Sequence, residues 1–90
     1  MAIAVKKEDY KDYVEYRIIV SFIGVNGSPR SFNIDVARKK GIGDDQHATI
    51  NVYATGDIPT AAWPVMTRAL VIAESLASGE VDFTGVDEYV

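Results

Sequence analysis

Cysteine is absent from this chain. That excludes disulfides, thiolate metal sites and a cysteine nucleophile, and it fits a reducing compartment. Histidine occurs once, as His47. Nucleophilic catalysis needs a base beside a serine or threonine, and no serine here sits in a nucleophile-elbow pattern. Glycine is spread thinly: Gly41-Ile42-Gly43 lacks the further glycine, the lysine and the helix start of a phosphate loop. No apolar run approaches the ~20 residues that span a bilayer. The first ten residues, MAIAVKKEDY, become charged too early for a signal peptide. The expectation is a cytoplasmic protein with no cofactor, no membrane contact and no catalytic activity.

Ninety residues allow one domain, residues 1–90, with 48% hydrophobic and 24% charged composition. The net charge of −4 gives no long-range attraction to phosphate backbones. Accessory, regulatory and inhibitory proteins of phages and mobile elements are often of this size, which is an analogy of scale only.

Period-two patterning predicts three strands. Residues 10–23 are rich in β-branched and aromatic side chains. Tyr16, Ile18, Val20 and Phe22 form the core face, while Tyr13, Glu15, Arg17, Ile19, Ser21 and Ile23 form the other. The stretch GVNGSP at 24–29 is the clearest turn signal. Phe32, Ile34 and Val36 of the second strand, 31–38, must share a face with the first strand's core residues. Residues paired on one face then have an even number sum, so the loop holds an odd number of residues, three or five, with a bulge. The three-residue case would place Glu15 opposite Lys39. A charged loop at 38–45 leads to a third strand, 46–54, with Ala48, Ile50 and Val52 on one face and Thr49, Asn51 and Tyr53 on the other. Residues 1–9 read as a partly ordered arm.

Residues 60–79, TAAWPVMTRALVIAESLASG, predict one helix. Thr60 is a candidate N-cap, although Pro64 must fall in the first turn and shifts the regular helix toward Trp63. Met66, Leu70, Ala73 and Ala77 form an apolar stripe, widened by Trp63, Val65, Ala69, Ile72 and Leu76. Gly79 is the expected C-terminal stop. In the tail, 80–90, Val81, Phe83 and Val86 are placed to add an edge strand or cover the helix end. The expected fold is α+β: a three-stranded antiparallel sheet, a β-hairpin plus a third strand, packed on one C-terminal hydrophobic helix.

Such a small sheet cannot bury a helix this apolar on most sides. Arg17, Ile19, Ile23, Tyr53 and Val71 are left over, and unexplained apolar surface marks association. The first functional expectation is a non-catalytic protein-binding or regulatory protein acting as a homodimer and on another protein. Its contacts would lie on the outer sheet face at Arg17, Ile19 and Ile23 or on the helix at Val71. The competing expectation is that arm and tail cover these residues. A second class is a nucleic-acid-binding module. Lys6, Lys7, Lys11, Arg38, Lys39 and Lys40 meet at one end of the hairpin, with Tyr10 and Tyr13 available to stack on bases. Glu8, Asp9, Asp12 and Glu15 interleave with them and disfavour it. A third is a metal-dependent enzyme around Asp44, Asp45 and His47, a set short of the usual three or four ligands at a recognised spacing.

Overall fold

The computed structural model describes residues 2–40, 48–54, 56, 58–80 and 83–89. Five strands occur in the order β1 (Ala2–Asp9), β2 (Tyr13–Ile23), β3 (Pro29–Lys39), β4 (Ala48–Tyr53) and β5 (Glu88–Tyr89). Helix α1 (Trp63–Ser78) lies between β4 and β5 in the chain, after a short 3-10 turn at Thr60–Ala62. The sheet order is β4-β3-β2-β1-β5. Neighbours are antiparallel except β1 and β5, which run parallel.

This overturns the three-stranded antiparallel sheet expected from the sequence: the sheet is five-stranded and mixed. The two added strands come from the chain ends. Residues 2–9 pair with Val14–Ser21 of β2 instead of forming an arm, because Ile3 and Val5 alternate onto the core face and are buried. The stretch 10–23 hides the turn between β1 and β2. Tyr10 N–H donates to the Tyr13 carbonyl at 2.9 Å, closing a tight bend around Lys11 and Asp12. Neither glycine nor proline punctuates that bend, so its sequence reads as continuous strand.

The β2–β3 hairpin follows the parity argument. Its ladder ends at the pair Ile23 and Pro29, leaving five loop residues. Gly24 N–H donates to Ser28 C=O at 2.8 Å, and Gly27 N–H to Gly24 C=O at 2.9 Å. Gly27 takes φ 83°, the left-handed conformation that such a loop needs at this position. Glu15 accordingly faces Ala37, and Lys39 faces Tyr13.

The core lies between one sheet face and the helix. Ile3, Val5, Val14, Tyr16, Ile18, Val20, Phe22, Phe32, Ile34 and Val36 meet Ala62, Ala69, Ile72, Ala73 and Leu76 in one buried cluster. Phe83 and Val86 of the tail pack against it; Val81 lies outside the described residues. The helix seam differs from the expected stripe. Ala69 and Ala73, with Ile72 and Leu76, form the buried seam, so Leu70 and Trp63 fall on the flank and stay exposed. The helix also starts without a side-chain cap: Ala62 takes that position, and Thr60 serves only through its carbonyl, which accepts from the Trp63 N–H, not through its hydroxyl. Starting at Trp63 puts Pro64 in the first turn, where a missing N–H costs nothing. Gly79 ends the helix at φ 85°, its N–H donating to the Leu76 carbonyl at 3.2 Å.

Candidate protein-binding surface

The helix covers one side of the sheet only. The outer side is built from side chains that alternate with the core. Ile19, Asn33 and Tyr53 form one row across β2, β3 and β4; Arg17, Asp35 and Asn51 form the next. Ile23 lies further along β2 and is exposed, whereas Ile19 is half-buried among its neighbours. Arg17 grips Asp35 with two hydrogen bonds, Nε to Oδ1 at 3.1 Å and Nη2 to Oδ2 at 3.3 Å. That hydrogen bond, and then the carboxylate's charge, raise the guanidinium's pKa above its ordinary value. Lys6, Glu8, Glu15, Arg17, Asp35 and Tyr53 line a shallow depression of about 400 Å³ here, with charges of both signs.

Four of the five sequence-predicted protein-binding residues, Arg17, Ile19, Ile23 and Tyr53, therefore share this outer face. Val71 does not join them: it sits on the solvent side of α1, across the molecule.

A second surface was not foreseen. Ile50 and Val52 pair with Val36 and Ile34 and so point to the helix side of the sheet. They nevertheless remain 38% and 49% exposed. Above them runs the flank of α1. Residues advance about 100° each around a helix, so Trp63 and Leu70 lie on one side of the buried seam and Arg68 on the other. Arg68 Nε donates to the Thr84 carbonyl at 2.5 Å, which assigns its side to the tail and β5. The opposite flank, with Trp63 59% and Leu70 39% exposed, is then the one toward β4, which α1 also contacts. The signal in the sequence is that β4, ATINVY, has six residues without a charge.

The predicted nucleic-acid cluster is divided. Lys7 and Arg38 lie on the helix side of the sheet and Lys6 and Lys39 on the outer side, by their pairing with Tyr16, Val14, Arg17 and Tyr13. Asp9 stands between Lys7, 4.0 Å away, and Lys40, which donates to its carboxylate and to the Tyr10 carbonyl. The Lys40 hydrogen bond, followed by the charges of Lys40 and Lys7, holds the Asp9 carboxyl below its usual pKa. Lys11 is exposed in the β1–β2 turn. Tyr10 and Tyr13 stack on each other, centroids 4.6 Å apart. Glu8's charge raises the Tyr10 pKa first, ahead of desolvation. The predicted metal residues Asp44, Asp45 and His47 lie outside the described residues. Among the described residues no helix is long and apolar enough to cross a membrane.

No protein-family model, no curated protein and no solved structure matches the chain.

Proposed function

We propose that this chain is a small non-catalytic protein-binding protein, accessory or regulatory in role, that works as a homodimer. The observation that carries the reading is the gathering of exposed apolar side chains around one strand: Ile50, Val52 and Tyr53 of β4, with Trp63 and Leu70 on the helix flank above. Exposed apolar side chains on both sides of one edge strand stabilise association when they leave water. The outer sheet face around Arg17, Ile19 and Ile23 then serves a second, different protein. Size-exclusion chromatography with light scattering tests the first step. The expected mass at micromolar concentration is twice the 9.8 kDa of one chain. A monomer across the micromolar range overturns the reading.

A further inference from the structure

We infer that two copies of this chain join through β4, edge to edge and antiparallel, about a two-fold axis at Asn51. The inference rests on the homodimer reading and specifies its geometry. It starts from which backbone groups β4 leaves unpaired. Lys40 N–H donates to Asp12 C=O, and Gly24 N–H to Ser28 C=O, each at 2.8 Å. In an antiparallel ladder the bonded pairs alternate. Even-numbered residues of β3 thus bond to β2, and odd-numbered ones bond to Thr49, Asn51 and Tyr53 of β4. Ala48, Ile50 and Val52 turn their N–H and C=O groups the other way, to an edge that nothing pairs with among the described residues.

The two edges of the sheet are treated differently. On β1 the outward groups belong to Ile3, Val5, Lys7 and Asp9. Asp87 satisfies Ile3 twice, its N–H donating to the Ile3 carbonyl and its Oδ2 accepting from the Ile3 N–H, both at 2.8 Å. β5 pairs beside Val5, and charged Lys7 and Asp9 guard the remainder. Charge, proline and bulges are what keep an edge from pairing with another chain. β4, reading ATINVY, has neither charge nor proline.

The second copy fits as occupant because β4 is self-complementary. With Asn51 on the axis, Ile50 meets the other copy's Val52 and Thr49 meets its Tyr53, with no like charges opposed. Centring on Ile50 would instead pair Val52 with alanine and leave Tyr53 outside the strand. The helices also suit the arrangement. Each lies chiefly over β3, so the two axes stand about 14 Å apart, three strand spacings. Packed helices approach to about 8–10 Å, and Trp63 and Leu70 fill the difference above Ile50 and Val52. Tyr53 and Trp63, each 59% exposed, hold out on the order of 100 Å² apiece. Adding Ile50, Val52, Leu70 and the strand backbone, two copies bury on the order of 1,000 Å², the size a specific interface needs.

The chain's lack of cysteine provides the test. Residues facing across the axis in a non-bonded pair lie about 4.5 Å apart at Cα, within disulfide reach. Asn51→Cys is expected to form a covalent dimer in a glutathione redox buffer, whereas Ser31→Cys, exposed on the same face, stays unlinked. Val52→Lys is expected to raise the dimer dissociation constant by at least about tenfold, in the way natural edges are protected, with an unchanged circular dichroism spectrum. A dimeric wild type whose Asn51→Cys variant does not cross-link overturns edge pairing and leaves the homodimer reading standing. A monomeric wild type overturns both. If Val52→Lys unfolds the chain, the Asn51→Cys result decides alone.

Discussion

Ile3→Ala distinguishes a structural first strand from a loose arm by magnitude. Ile3 is 2% exposed and packs in the core cluster through β1. Removing three carbons forfeits about 2.4 kcal/mol at ~0.8 kcal/mol per buried methylene. A cavity term raises the cost, so the expected loss is about 2.5–4 kcal/mol. A domain of this length has a total stability of only about 5–13 kcal/mol. The change is therefore large: a thermal midpoint lowered by roughly 10–30 °C at 4–8 °C per kcal/mol. Lys7→Ala on the same strand, whose side chain is exposed, is the control and is expected within about 0.5 kcal/mol of wild type. Both are measured by urea denaturation at one fixed protein concentration, since association contributes to apparent stability. Complete unfolding of Ile3→Ala counts with the large loss. A loss below about 0.5 kcal/mol would mean that residues 2–9 do not belong to the folded core, and the reasoning would fail.

Two further outcomes follow from local chemistry. Gly79→Ala is expected to destabilise by about 1–2 kcal/mol, because an L residue is strained at φ 85°. Its added carbon would also lie 2.7 Å from Arg38 Nη2; an unchanged midpoint would refute that helix stop. Asp9 sets a pH dependence. Its carboxyl pKa is depressed mainly by the Lys40 hydrogen bond, so it adds stability above the unfolded-state pKa and loses it as pH falls through the folded one. The stability difference between wild type and Asp9→Asn should be flat above about pH 5 and shrink in acid, with a smaller effect in high salt. A difference that grows in acid has the wrong sign.

The central hairpin was legible because two signals agree. Tyr16, Ile18, Val20 and Phe22 alternate with period two, and Asn26-Gly27 supplies the turn, so face parity requires the odd loop that the ladder shows. The β1–β2 turn was illegible because Lys11 and Asp12 bend the chain without special backbone chemistry. β5 was beyond reach for another reason. Two residues carry no periodicity, and their place beside β1 depends on Asp87, eighty-four positions from Ile3. The helix was found but rotated. A pattern weighted by hydrophobicity points Leu70 inward, whereas close packing on a sheet selects the alanines at 69 and 73.

That rotation changes what the apolar helix signifies. Against three strands, its width alone argued for a partner. Against five, β1 and the tail complete the core around Ile72, Ala73 and Leu76, with Phe83 and Val86 beside them, while Ile23, Tyr53 and Val71 stay exposed. The helix seam no longer needs a second chain. The need moves to the side where the sheet was not extended. The extra strands, β1 and β5, were added beyond β2, and Asp87 and two charged residues finish that edge. None was added beyond β4 among the described residues, although Ile50 and Val52 lie there under Trp63 and Leu70. Unpaired backbone groups specify direction and register, which apolar area alone does not. An outer-face contact through Ile19 and Ile23 would leave the β4 groups hydrated and the helix flank exposed. Only an edge contact relieves both with one surface, so the case for a second copy is stronger at β4, where Tyr53 was already singled out by the sequence pattern, than at Arg17, Ile19, Ile23 or Val71.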